Sequence, residues 1–182
     1  IQFHVKTVII KMIKLFLFQT IFYFAFGEIV NLQQLSVPRT FLGGTSLPNQ
    51  GLILFAGGLN NNNIPTNAVD IYNVKMNKWT TSELSVAREY VSATSLPNLG
   101  LAFFAGGDDA NQNYFSTVDV FNANNNRWTT MQLSVPRTQI GSCSLPEQNL
   151  VLFAGGANQN NNVPPYATVD IYNAVSNQWS VS

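Results

Sequence analysis

Histidine, cysteine and paired carboxylates are the residues from which most side-chain chemistry is assembled, and this chain has few of them. It holds one histidine, His4, and one cysteine, Cys143. Catalysis of the Ser-His-Asp or Cys-His kind needs a base beside its nucleophile, and no histidine follows position 4. A structural zinc site takes about four Cys or His ligands, and a lone cysteine forms no intrachain disulfide. The closest carboxylate pair is Asp108-Asp109, followed by Asn111, Gln112 and Asn113. An oxygen-rich loop of this kind suits calcium, but the spacing is not that of an EF-hand, and Asp and Asn are equally the residues of a solvated turn. No metal and no cofactor is assigned to the chain. The arginines Arg39, Arg88 and Arg137 recur 49 residues apart. Each planar guanidinium is able to tie carbonyls of adjacent segments or to point at a ligand, and one copy per unit favours tying. Asp70, Asp119 and Asp170 also recur once per unit, 49 and then 51 residues apart, as a structural hydrogen bond within each unit would require.

That spacing belongs to a repeat covering most of the chain, and a fixed period of this length marks an architecture of stacked units. The glycine pairs Gly57-Gly58, Gly106-Gly107 and Gly155-Gly156 are 49 and 49 residues apart. The Leu-Ser-Val triplets at 35–37, 84–86 and 133–135 keep that spacing. Trp79, Trp128 and Trp179 are separated by 49 and then 51 residues, so two extra residues lie in the Asn-rich stretch 158–165. Insertion tolerated there marks a surface loop. Each unit carries four segments of strand character bounded by turn formers. In the first copy they are 40–47, 51–56, 68–73 and 78–86, here called A to D. Segment B is almost wholly apolar, as in Leu52-Ile53-Leu54-Phe55, which predicts a strand covered on both faces. Segment C alternates Val69 and Ile71 with Asp70 and Tyr72, which predicts unequal cover. Segment A is built from small residues, Gly43-Gly44-Thr45, Ser92-Ala93-Thr94 and Gly141-Ser142-Cys143. Small residues suit the strand nearest an axis on which units converge, where Cys143 is expected as a buried, inert thiol.

The run Phe55-Ala56-Gly57-Gly58, then Val69-Asp70-Ile71-Tyr72-Asn73, then Trp79 resembles a kelch repeat, and the other two copies agree with Phe121 before Trp128 and Tyr172 before Trp179. The resemblance covers residues 28–182 and implies an all-β fold, a kelch-type β-propeller with three four-stranded blades of the six or seven usual in that family. The units are bounded as 38–86, 87–135 and 136–182, behind residues 28–37, which align with the D strand of a preceding blade although Val30 stands at the Trp position. The third unit is expected to be truncated, with the orphan strand 28–37 closing the ring in a complete protein, as kelch propellers commonly do. The paired glycines and the aromatic residues are read as structural parts, the Trp side chains packing between blades rather than stacking on a ligand.

Residues 1–27 are read as upstream residues and a signal peptide starting at Met12, with Lys14, an apolar run over 15–24 and small residues before a cut after Gly27. A membrane span needs about 20 apolar residues, so a cleaved signal is favoured over a signal anchor and no stable span is expected. The chain is then secreted or lumenal. With nine basic and nine acidic residues and zero net charge, it has no basic patch for nucleic acid. No Asn-x-Ser/Thr sequon is present, so no N-glycan is expected.

In an up-and-down blade the B to C and D to A connections emerge on one face. The B to C loops are 59–67, 108–116 and 157–168, and they vary while the strands repeat, as binding loops on a rigid scaffold do. The candidate binding face is therefore Asn61, Asn62, Asp108, Asp109, Asn160 and Asn161 with the turn arginines Arg39, Arg88 and Arg137. Asn runs are also a compositional habit of polar loops. The family implies a non-catalytic scaffold binding a protein or glycan through that face. The alternatives are an intracellular kelch adaptor, which a working signal peptide would exclude, and a fragment of a galactose-oxidase-like copper enzyme whose His, Tyr and Cys ligands lie outside this chain.

Overall fold

Alternating and fully apolar runs of five or six residues, each closed by Gly, Asn or Pro, leave the chain little choice but short antiparallel strands. A computed structural model describes residues 34–158 and 164–182, all within one compact unit, Gln34–Ser182. The segment read as a signal peptide and most of 28–37 lie outside the described residues. The first repeat forms β1 (Arg39–Thr40), β2 (Gly43–Leu47), β3 (Leu52–Ala56), β4 (Leu59–Asn60), β5 (Ala68–Asn73) and β6 (Lys78–Glu83). The second forms β7 (Ser92–Leu96), β8 (Leu101–Ala105), β9 (Thr117–Asn122) and β10 (Arg127–Gln132). The third forms β11 (Gly141–Leu145), β12 (Leu150–Ala154), β13 (Val169–Asn173) and β14 (Gln178–Val181). The described residues are all-β apart from one short 3-10 turn, Pro146–Gln148.

Each repeat folds into one antiparallel four-stranded sheet in chain order: β2-β3-β5-β6, β7-β8-β9-β10 and β11-β12-β13-β14. The small β1 and β4 pair separately. The sheets approach one another through their first strands. A Cβ on Gly43 would lie 2.7 Å from the Val91 carbonyl and 3.2 Å from the Ala93 side chain. Ser95 Oγ donates to the Ser46 carbonyl at 2.8 Å, and Ser142 Oγ to the Ala93 carbonyl at 3.0 Å. The fourth strands lie farthest from these contacts and are largely exposed.

The core fills the two inter-sheet spaces with matched residues. Leu47, Leu54, Ala56, Val69 and Ile71 of the first sheet meet Val91, Ala102, Phe104 and Phe121 of the second. Leu96, Phe103, Ala105, Val118 and Val120 of the second sheet, each 49 residues further on, meet Ile140, Val151, Phe153 and Tyr172 of the third. Burying a side chain of this size contributes about 1.5–3 kcal/mol, so the two spaces carry most of the apolar stabilisation.

Four expectations are corrected. Segment A begins at Gly43 instead of 40, because Phe41 takes φ 55° and breaks the extended run. Segment D ends at Glu83, because the Ser85 amide turns away to donate to the Asp119 carboxylate at 3.1 Å. Segment C of the first two sheets is covered on both faces, Val69 to Tyr72 all being buried, since the polar Asp70 is neutralised by an arginine. Cys143 is exposed, because the side of the third sheet on which it stands has no other sheet against it among the described residues.

Candidate functional site

Each repeated arginine follows a turn that the next strands must hold, and each is drawn inside. Arg39 pairs with Asp70 at 2.8 Å, Arg88 with Asp119 at 2.8 Å and Arg137 with Asp170 at 2.7 Å, with the arginine side chains fully buried. The guanidinium of Arg88 also donates to the carbonyls of Gly106 (2.8 Å), Phe104 (3.0 Å) and Val86 (3.3 Å). Arg137 repeats the set on Gly155 (2.8 Å), Phe153 (3.1 Å) and Val135 (3.1 Å). Burial pushes the Arg88 guanidinium below its usual value, against the opposing pull of Asp119. The arginines are thus removed from the candidate binding face: their planar forks close the strand ends, and removing one partner would leave a buried charge at about 3–5 kcal/mol.

The aspartates bind beyond their own repeat as well. Ser36, Ser85 and Ser134 donate their amides to Asp70 (3.0 Å), Asp119 (3.1 Å) and Asp170 (2.9 Å). The hydrogen bond expected within each unit is therefore joined by one arriving from the preceding turn. The glycine pairs serve the same junction. Gly58 and Gly107 donate their amides to the carbonyls of Arg88 (2.9 Å) and Arg137 (3.1 Å). A Cβ on Gly58, at φ 99°, would lie 2.5 Å from the Thr40 carbonyl, which only glycine avoids.

The Trp side chains pack across strands. Trp79 lies 5.0 Å from Tyr72, Trp128 5.1 Å from Phe121 and Trp179 5.1 Å from Tyr172, in tilted pairs. The phenol of Tyr172 donates to Asn177 at 2.8 Å, and its burial raises the phenol above its ordinary value.

What remains for a ligand is the end of the sheets where the B to C loops meet the turns carrying the arginines. These segments touch in every repeat: Thr40 pairs with Leu59, Glu89 with Asp108 and Thr138 with Ala157. Asn61 and Asn62 are exposed in the first loop, with Ile64 at its tip 55% exposed. Asn160 and Asn161 lie outside the described residues. Asp109 is a turn former: its carboxylate accepts from the Asn113 side-chain amide at 2.9 Å and from the Asn113 and Asn111 backbone amides at 2.9 and 2.8 Å, which hold its carboxyl below the ordinary value against a small opposing effect of burial. Asn60 organises the first loop identically, accepting from Asn62 and Ile64. Asp108 is buried and accepts from the Thr138 hydroxyl at 2.9 Å. The two carboxylates are thus engaged on different partners, and no group of three metal-ligating side chains occurs among the described residues.

Glu89 and Asp108 face one another across a β-bridge with backbone bonds of 2.9 and 3.2 Å. Like charges directly opposite are destabilising, and no Lys or Arg pairs with either among the described residues. Burial raises both carboxyls above their ordinary values. The charge of Asp108 adds to the shift of Glu89, while the Thr138 hydrogen bond opposes that of Asp108 and Asp109 adds to it. Beside them, Tyr90 stacks on Phe41 with ring centroids 4.4 Å apart, and Phe41 is 49% exposed. Both take positive φ, 53° and 55°, as does Gln139 at 54°. For a bulky residue this conformation costs about 1–3 kcal/mol. The turn geometry repeats, but its side chains do not.

Comparison of the chain with models of protein families gives no match, and no curated protein matches it.

Sequence reasoning did not single out Phe41, Glu89 or Tyr90. Their signal was available: Thr40-Phe41, Glu89-Tyr90 and Thr138-Gln139 differ between repeats whose flanking arginine and small-residue strand are constant.

Proposed function

We propose that the three sheets are successive blades of a kelch-type β-propeller and that the protein is a non-catalytic, secreted binding scaffold. Its loop face takes a protein or glycan ligand. The approach of neighbouring sheets through their first strands supports the propeller reading, as do the matched inter-sheet cores.

The observation that carries the binding role is the Glu89–Asp108 pair beside the Phe41–Tyr90 stack. The other repeats form the same bridge with Thr40 and Leu59 or with Thr138 and Ala157, so the scaffold has no need of two opposed carboxylates. Unfavourable local choices without structural return collect at functional sites. The exposed ring offers an apolar surface, and the carboxylates accept hydrogen bonds from hydroxyl or ammonium groups.

The test is to screen the purified chain against a glycan array and a displayed peptide library. A ligand should emerge whose affinity falls at least about tenfold, equivalent to 1.4 kcal/mol, in a Glu89→Gln/Asp108→Asn variant and in Tyr90→Ala. The variant Met76→Ala, in the exposed turn at the opposite end of the sheets, should bind normally. Ligands indifferent to the loop-face changes, or none in either library, would overturn the reading. A reporter fused behind residues 1–27 and retained inside the cell would remove its secreted part.

A further inference from the structure

Charge is not spread evenly over the described residues. Three arginines lie inside the fold, each neutralised by a buried aspartate, and the charges that remain divide by end. At the loop end, where β6 closes against the start of β5 and the B to C loops meet the turns before the first strands, stand Glu83, Glu89, Asp108 and Asp109. No lysine and no unpaired arginine accompanies them among the described residues. At the opposite end, in and beside the turns between β5 and β6, β9 and β10, and β11 and β12, stand Lys75, Lys78 and Arg127 with Glu147, all exposed. A face of one sign attracts partners of the other.

The same negative end carries the rings. Phe41 stacks on Tyr90, and the Tyr90 amide donates to the Phe41 carbonyl at 2.9 Å, so the turns of the first two repeats are tied and their rings form one platform. Burial raises the Tyr90 phenol above its ordinary value, and the charges of Glu89 and Asp108 add to the shift, which puts rings and carboxylates in one neighbourhood. The face of an aromatic ring attracts cations through its quadrupole, and a carboxylate attracts them through its charge. An uncharged hydroxyl leaves the repulsion between Glu89 and Asp108 in place, whereas an ammonium or guanidinium group relieves it. The third repeat has Thr138 and Gln139 where the second has Glu89 and Tyr90, so the turn itself requires neither feature.

We propose that this face docks a basic protein segment, whose lysine or arginine side chain lies over the Phe41–Tyr90 rings with its charge against Glu89 and Asp108. This rests on the reading of the loop face as a binding surface and selects, within it, a cationic protein over a neutral glycan.

Calorimetric titration of the full chain with a ten-residue lysine oligomer tests this, with an uncharged glycine-serine oligomer and calcium chloride as the comparison probes. Binding is expected of the lysine oligomer alone. It should weaken as salt is raised from about 0.01 to 0.15 M, over which the screening length falls from about 30 to 8 Å. Affinity should fall at least about tenfold in Glu89→Gln/Asp108→Asn, and about two- to fivefold in Phe41→Ala, which removes an exposed ring from the cation. Glu89→Lys supplies the cation from within the chain, opposite Asp108; it should no longer bind the oligomer and should unfold at a higher temperature than the parent. Glu147→Gln, at the other end of the sheets, should bind as the parent does. Equal affinity in all these variants would assign the oligomer to diffuse attraction and overturn the proposal, as would calcium binding at Glu89 and Asp108 in the oligomer's place. An uncharged oligosaccharide whose binding is lost in Glu89→Gln/Asp108→Asn and in Tyr90→Ala would overturn the basic partner and leave the loop face a binding surface. Failure of every probe, charged or neutral, would overturn both.

Discussion

Glu89 and Asp108 oppose each other within a half-buried bridge, and their raised carboxyls fix the sign of a pH effect. A carboxyl that holds its proton more tightly in the folded than in the unfolded chain destabilises the fold once ionised; the penalty is fully present above the folded value and is lost below the unfolded one. Replacing Glu89 by Gln should therefore stabilise the protein at neutral pH, by about 0.2–1 kcal/mol for relieving one opposed like pair. The gain over the parent should vanish in acid, where both carboxyls are protonated. Urea unfolding of the two proteins at both pH values measures this; a loss at neutral pH, or a gain that persists in acid, would contradict it. The repeated residues were legible in the sequence as types and spacings, and the favoured tying role of the arginines describes the bonds that Arg88 and Arg137 make. Their disappearance from the binding face was not legible, since spacing fixes where a side chain starts and only the packed chain decides where its guanidinium ends.

At the scale of the strands, glycine and small residues decide how closely the sheets approach. Gly43 in β2 faces the backbone of β7, and a methyl group there would lie 2.7 Å from the Val91 carbonyl. Its neighbours are the Val91 carbonyl and the Cβ of Ala93, neither of which can turn aside, so the two strands must part. Gly43→Ala is expected to lower stability by about 1–3 kcal/mol, the usual penalty of overpacking. The Ser95 to Ser46 hydrogen bond, made between the same strands, should loosen with it. Faster amide exchange in β2 and β7, with β10 unchanged, is the signature; uniform exchange would show that the strands are not held by this approach. Small residues in segment A pointed to a strand near the axis, and β2, β7 and β11 do lie side by side. The ends of segments A and D were misjudged because the interrupting forces are not local: Phe41 breaks its strand in a left-handed turn, and Ser85 leaves its strand for a carboxylate in the next repeat.

Across the whole molecule the three sheets obey one sequence pattern but experience different surroundings. Leu54, Phe103 and Leu152 occupy the same position; the first two are fully buried, and Leu152 is half-buried. The repeat period made the correspondence readable, while the burial of each member depends on what lies beside its sheet, which periodicity does not encode. In an assembly of stacked units, stability is the sum of unit terms and nearest-neighbour contacts. Leu54→Ala removes side-chain contacts from a completed interface and should destabilise by about 2–5 kcal/mol at every protein concentration. Leu152→Ala removes them from a side that no other sheet covers among the described residues. It should therefore cost clearly less than Leu54→Ala, because fewer side-chain contacts are lost there. Thermal unfolding of both variants separates the cases: a clearly smaller penalty for Leu152→Ala is expected, whereas equal penalties would mean that Leu152 is as enclosed as Leu54 and that the burial of a repeat position follows the sequence pattern alone.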